Sequence, residues 1–381
     1  MAGVMSFPTR IVHGRGTTGQ VAAELKRAGG QQRALLVTDA GILKANLLRF
    51  IAPALEQSGV KVTVWSEADA SASEASAQVA AGVFRSSGAD CIVALGGGGV
   101  IDLAKAVRLL AGSEGPLARF APAGDGQIGA ALPPLLAVPT SAGAGSEASG
   151  EASLSIDGAT VTLASPRLVP DAAILDAELT VALPPFLTAV SGFNALAHAL
   201  EAFFAKAEHP IADALALEAL RRIGASLKNA VKNGRDLDAR EQLLMGACMA
   251  GIAAQKGQGA ARALAFALNP VAGTPHGLTC AIVLPPVLRF DKAAAEARLA
   301  QAAVALGFGA AAPAAEAAAA AASIVEELGK ACALPRKLSQ AGVRRDQLPA
   351  AIEKASESAA HAQSPRACTE VDFERLLGEA I

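Results

Sequence analysis

The stretch Cys91 to Lys105, CIVALGGGGVIDLAK, constrains the fold more than any other. Ile92 to Leu95 is short, apolar and partly β-branched, which suits a strand covered on both faces in a parallel sheet. Gly96, Gly97, Gly98 and Gly99 follow, and without Cβ atoms they permit positive φ and let a ligand approach the backbone. From Val100 the spacing is helical. A strand, a glycine turn and a helix N-terminus together offer unpaired N–H groups and the positive end of a helix dipole to a phosphate. A tight strand-to-helix turn without any ligand would carry the same letters. The motif is neither G-x-G-x-x-G nor a Walker loop, since no Gly-Lys-Ser/Thr follows.

The neighbouring sequence repeats the alternation. ALLVTDAG, after Arg33, reads as a strand ending at Asp39, with a helical stretch over Leu43 to Ser58. Val60 to Trp65 reads as a strand, Ser73 to Ser87 as a helix and Pro134 to Pro139 as a strand. Strands alternating with helices imply a doubly wound parallel sheet, because parallel strands need crossovers. A second small-residue turn, TSAGAGSE from Thr140 to Glu147, follows the last of these strands. Ligands of such sheets bind beyond the carboxyl ends of the strands, so Thr140 and Ser141 join the glycines as candidate cofactor contacts. Asp39 is placed to hydrogen-bond a ribose diol and to repel a 2′-phosphate; an N-cap or turn aspartate is the alternative.

After Leu183-Pro184-Pro185 the strands disappear, which divides the chain into an α/β domain over 1–184 and an all-helical domain over 185–381. Phe186 to Phe204 is apolar nearly all round, as in a helix buried within an all-α domain. Asn194 and His198 are four apart and Glu201 three further on, so they share one face and need partners there. A satisfied structural His and Asn would look the same. Thr274-Pro275-His276-Gly277 is a turn bearing a second His, and Gly309 to Ser323 is an Ala-rich, peripheral helix.

Composition narrows the function classes. With 33 Lys+Arg against 35 Asp+Glu there is no electrostatic footprint for nucleic acid. Hydrophobic residues make up 52% and charged ones 18%, enough for a large core and too apolar for disorder. No uncharged apolar run is long enough for a membrane span, and MAGVMSFPTR lacks the apolar centre of a signal peptide, so a cytoplasmic protein is expected. The five cysteines, Cys91, Cys248, Cys280, Cys332 and Cys368, show no C-x-x-C spacing and read as buried thiols. The chain contains 0 tyrosines, which excludes reductase mechanisms that draw a proton from a Tyr–Lys pair.

With these residues in hand, the chain resembles the iron-containing (group III) alcohol dehydrogenase family over nearly its full length. GGGGVIDLAK resembles that family's GGGSxxDxAK, with Gly99 for the serine, and VPTSAGAGSE its PTTAGTGSE. SGFNALAHALEAF resembles GxDALxHAxEA, and TPHGLTCAIVLPPV resembles PHGxxxAxLLPxV. The resemblance implies a nucleotide-binding domain followed by a helical one, the plan shared with the dehydroquinate synthases. It implies hydride transfer with a nicotinamide cofactor, NAD(H) rather than NADP(H) on the reading of Asp39. It also implies a small-molecule substrate, a homodimer, and a place for Asp102 of the glycine motif in the cofactor site.

The family binds a divalent metal through one Asp and three His. Here the Asp falls on Asn194, His198 and His276 remain, and the third His falls on Arg262, with Phe266 one turn on. A guanidinium has no lone pair to give and repels a divalent ion. That pattern is similar to the maleylacetate reductases, relatives that work without a metal, although those keep histidines near the positions of Arg262 and Phe266. The expectation is an NAD(H)-dependent reductase of small carbonyl compounds, such as an oxo-acid, without iron or zinc. Arg262 stands as the cation at the reacting oxygen or on a substrate carboxylate, His198 or His276 as proton donor, and Asn194 beside them. A metal-dependent dehydrogenase with an altered site, a nucleotide-binding protein that has lost catalysis, and a cyclising lyase are the alternatives. In a purely structural reading, Arg262 pairs with Glu201 or another acid and only holds the domain together.

Overall fold

The computed structural model describes residues 5–381 apart from 30–31, 70–71, 114, 122–123, 125 and 130. The first four residues of the segment used for the leader reading therefore lie outside the described residues. The chain forms two compact units. An α/β unit comprises 6–141 and 146–182, and a helical unit takes 183–381 together with 142–145. The second small-residue turn is thus divided, since 142–145 packs with the helices rather than with the sheet that precedes it.

The α/β unit is built on strands β1 (Arg10–His13), β2 (Arg33–Val37), β3 (Lys61–Trp65), β4 (Cys91–Gly96), β5 (Leu135–Pro139) and β8 (Ala172–Leu175). They form one parallel sheet in the order β1-β8-β5-β4-β2-β3. The helices among them are α1 (Val21–Arg27), α2 (Ala40–Lys44), α3 (Ala52–Gln57), α4 (Glu74–Ser87) and α5 (Gly98–Gly112). Period-two alternation sends strand residues to opposite faces, and each face has its own core. Leu35, Ile92, Ala94 and Leu135 pack with Phe84 of α4 and Leu103 of α5 on one face. Leu36, Val93, Leu95 and Leu136 pack with Leu25 of α1 and Leu55 of α3 on the other. Strand β4 is buried at every residue, as a central strand covered on both sides must be.

Three departures from the sequence reading have local causes. The helix expected over Leu43 to Ser58 is two short helices and a 3₁₀ turn, because Asn46 takes a left-handed φ of 54°. Strands β1 and β8 are only four residues long, too short to stand out as periodic. An antiparallel hairpin of β6 (Glu151–Ile156) and β7 (Ala159–Ala164) is present beyond the strands the pattern predicts. Its turn, Asp157-Gly158, has positive φ at both residues, which is the aspartate-glycine signature of a tight hairpin.

The helical unit contains α6 (Pro185–Phe204), α7 (Pro210–Lys232), α8 (Leu237–Ala253), α9 (Ala260–Ala272), α10 (His276–Ala305), α11 (Ala314–Ala331), α12 (Leu348–Glu357) and α13 (Glu370–Ala380). Helix α6 buries fourteen of its residues, among them Phe193, His198, Glu201 and Phe203. The Ala-rich segment begins its helix only at Ala314, after Pro313. That helix buries one face through Ala317, Ala318, Ala321, Ala322 and Val325 and leaves most of its residues outside the core. Among the described residues, no helix is long and apolar enough to cross a membrane.

Candidate active site

Gly96 closes β4, Gly97 caps α5, and Gly98 and Gly99 are already in its first turn. None of the four has positive φ, so the freedom that mattered is not dihedral but steric. A Cβ on Gly96 would lie 2.6 Å from Val100, and one on Gly97 would lie 3.2 Å from the Ser141 hydroxyl. Gly97 provides no side-chain cap, so the first N–H groups of α5 receive no internal acceptor from the cap. Thr140, 4% exposed, donates its N–H to the Gly96 carbonyl at 2.9 Å and ties the end of β5 to the glycine turn. Uncapped N–H groups beside a face kept free of side chains suit the pyrophosphate of a dinucleotide.

Asp39 closes the loop after β2 and is the N-cap of α2, its Oδ1 accepting from the Ile42 N–H at 2.9 Å. The alternative role foreseen for it is therefore present, and any contact with a ribose falls to its other oxygen.

Asp102 is turned inward. Its Oδ2 accepts from Ser153 N of the hairpin at 3.1 Å, and its Oδ1 lies 3.8 Å from the ammonium of Lys105. Burial raises its pKa, against the pull of Lys105 and Ser153. Lys105, 0% exposed, donates to the Glu151 carbonyl at 2.6 Å and to Ser149, and burial lowers its pKa despite Asp102 and Glu147. The pair anchors β6 to α5. The sequence signal for Lys105 was a cation three residues from an acid on an otherwise apolar helix face.

In the helical unit, Gly145 has φ +69° and packs against α8 so closely that a Cβ would lie 2.6 Å from the Gly251 Cα. The same turn places the Ala144 backbone at the His198 ring. A Cβ on Gly277 would lie 2.1 Å from the Val190 carbonyl and 3.2 Å from the Asn194 Cβ, so the start of α10, with His276, is pressed onto α6. Glu201 caps α9 from outside, its Oε1 accepting from Ala261 N at 2.7 Å and Arg262 N at 3.2 Å. That cap sets the first turn of α9 against α6.

The result is a buried polar cluster. An N–H of the Arg262 guanidinium donates to His198 Nε2 at 2.8 Å. The guanidinium carbon stands 4.7 Å over the Phe266 ring, whose other neighbour is the His276 ring at 4.8 Å. Arg262 thus meets Glu201 through its backbone N–H, while a guanidinium N–H goes to His198. His198 and Arg262 are 6% and 5% exposed, and His276 keeps partial access to solvent. Asn194 Oδ1 and His198 Nδ1 find no hydrogen-bond partner among the described residues.

Because arginine only donates, His198 Nε2 must accept, and a neutral ring then carries its proton on Nδ1. Burial, then the charge of Arg262 and then His276 hold the His198 pKa well below the usual range. Burial and Arg262 lower that of His276 too. A proton donor titrating near neutral pH, expected of one of these rings, is therefore not what the cluster provides. Nor does the cluster fit a divalent ion. The Nε2 lone pair that would bind one faces a guanidinium, and among the described residues no three His, Cys, Asp or Glu side chains converge.

Comparison with known proteins agrees with this arrangement of motifs. Residues 8–177 match the model described as iron-containing alcohol dehydrogenase, and 188–381 match the C-terminal model of the same family. The chain is 34% identical to a 4-hydroxybutyrate dehydrogenase of Cupriavidus necator, with 96% of each protein covered. It is 30% identical to an NAD-dependent methanol dehydrogenase of Bacillus methanolicus, covering 98% of this chain and 99% of that one. The crystal structure of a 1,3-propanediol oxidoreductase superposes with a TM-score of 0.95 at 29% identity, covering 100% of both chains. That of a maleylacetate reductase from Agrobacterium tumefaciens gives 0.82 at 28% identity, covering 100% of this chain and 98% of that one. The chain belongs to the iron-containing alcohol dehydrogenase family and is an oxidoreductase of its alcohol dehydrogenase type.

Proposed function

We propose that the protein is an NAD(H)-dependent oxidoreductase that interconverts a small carbonyl compound and its alcohol without a bound metal, using Arg262 as its electrophile. The carrying observation is the Arg262 N–H on His198 Nε2 at 2.8 Å, where a metal would need that lone pair. The uncapped start of α5, with Gly97 and Gly98, holds the pyrophosphate, Thr140 and Ser141 lie on the ribose side, and Asp39 discriminates against a 2′-phosphate. The dinucleotide supplies or accepts a hydride when bound.

The protein's own part is electrostatic. As the carbonyl carbon is reduced, its oxygen gains negative charge, and a fixed cation in a water-poor setting stabilises it. Arg262 is held rigid for this by His198 and Phe266. The alkoxide takes its proton from water, since both imidazoles are neutral at physiological pH. The planar guanidinium also suits a substrate carboxylate. On that basis we place the substrate among short aldehydes or ketones bearing a carboxylate, in keeping with the 4-hydroxybutyrate and maleylacetate relatives. We also propose a homodimer in the cytoplasm, on the family resemblance alone. The test is NADH oxidation with a carboxylated aldehyde and its neutral analogue, by the wild type and by Arg262→Ala. Wild-type rates on both substrates in a folded Arg262→Ala would refute the role of Arg262, and no turnover of any carbonyl by the wild type would favour the nucleotide-binding alternative.

A further inference from the structure

One turn along α6 from His198, the helical unit holds a small pocket of about 10 Å³, room for one water-sized occupant. Glu201, Asp291 and Ser364 line it together with Leu200, Leu284 and Val287. The three polar residues are 7%, 3% and 2% exposed. Glu201 Oε2, Asp291 Oδ1 and Ser364 Oγ have no hydrogen-bond partner among the described residues. Ala261 and Arg262 N–H groups go to Glu201 Oε1, and the Arg366 backbone binds Asp291.

Buried polar atoms are nearly always satisfied, so three orphaned oxygens on one void mark a missing partner. The charged groups acting on the pair do not fill it. Arg262 acts on Glu201 but gives its side-chain N–H to His198; Arg366 and Lys206 act on Asp291 from exposed positions. Cys280 and Cys368, whose pKa values burial and the same acids raise, stay thiols and do not line the pocket. What remains is a hard, all-oxygen set of two carboxyls and a hydroxyl.

We propose that this pocket is a cation site, in which Glu201 Oε2, Asp291 Oδ1 and Ser364 Oγ, completed by water, bind a hard oxygen-ligated cation. The ligand chemistry fits Ca²⁺ or K⁺, which accept irregular oxygen shells, better than Mg²⁺, which demands near-ideal octahedral geometry. It excludes the softer transition metals, whose preferred nitrogen and thiolate donors are absent from the set. The site stands apart from the hydride-transfer reading, since none of these oxygens belongs to the Arg262–His198 contact. A single buried water, donating to both carboxyls, is the competing occupant.

The test uses the full chain stripped of ions by chelation and dialysis, at pH 8, titrated separately with the chlorides of calcium, potassium and magnesium. Tetramethylammonium chloride controls for ionic strength. Calcium or potassium should raise Tm saturably, with matching heats of binding, and the control should not. Asp291→Asn and Ser364→Ala should each weaken that binding by about tenfold or more, with unchanged circular dichroism. Ser364→Ala alone decides if Asp291→Asn does not fold. A Tm that follows only ionic strength, or an ion-specific shift of equal affinity in the variants, overturns the proposal and leaves water in the pocket.

Discussion

Arg262 and His198 are joined by an N–H···N hydrogen bond of 2.8 Å inside the helical unit, with the guanidinium as donor and the imidazole as acceptor. That contact fixes the tautomer of the ring and occupies its Nε2 lone pair, and burial, the larger cause, together with the Arg262 charge keeps the ring neutral.

Replacing Arg262 should separate substrates by charge. Arg262→Ala is expected to lower kcat/KM for a carboxylated aldehyde by about 100-fold or more, and for a neutral aldehyde of equal length by less. Arg262→Lys should recover little, because an ammonium cannot reproduce the planar fork. Steady-state NADH oxidation with the matched pair gives the answer, and equal losses on both substrates would show that no carboxylate is held.

The pH profile follows from the depressed imidazoles. A histidine whose pKa is lowered stays neutral as pH falls through the ordinary range near 6.5 and takes up its proton only below it. The kcat of the wild type should therefore show no limb between about pH 6 and 8. In Arg262→Ala, the second-largest cause of the lowering at His198 is removed, and a limb should move up toward neutrality. An imidazole limb near 6.5 in the wild type would contradict the neutral assignment.

Asp39 carries two roles that substitution can separate. Asp39→Asn retains an oxygen for the Ile42 N–H and should keep stability, whereas Asp39→Ala loses the cap at a cost of about 1 kcal/mol. Both should bring the affinities for NADH and NADPH closer together, as read by fluorescence titration. An unchanged preference in both variants would leave Asp39 as a cap only.

Gly251→Ala probes the packing that brings Ala144 to His198. The added Cβ would meet the Gly145 Cα at 2.6 Å and the Ala144 carbonyl at 2.8 Å, both backbone atoms that cannot rotate away. Overpacking of this kind typically costs about 1–3 kcal/mol, measurable by urea unfolding, and should lower kcat through displacement of the Ala144 turn. Wild-type stability would mean that the turn yields freely.

Much of this was legible because the informative residues sit where pattern and chemistry coincide. The β4–α5 junction reads directly from CIVALGGGG, and the buried helix α6 from its uninterrupted apolar sequence. What the sequence could not show was which polar groups face each other. Asp102 reads as a cofactor contact in the sequence, and only the fold shows Ser153 of the hairpin on its Oδ2 and Lys105 of its own helix 3.8 Å from its Oδ1. His198 looked like a titrating acid, because nothing in the letters places Arg262 on its Nε2. Asp291 drew no notice at all, being one acid within LRFDK whose burial depends on helices far away in sequence.

The most direct test of metal-free hydride transfer is transition-metal analysis by mass spectrometry on active protein purified without added ions, with NADH oxidation followed before and after chelation. Metal-free transfer predicts less than about 0.1 iron, zinc, nickel or manganese per chain and activity unchanged by chelator, since the cluster lacks the donors to hold such an ion. About one such metal per chain, with activity lost on chelation and restored by its return, would contradict it.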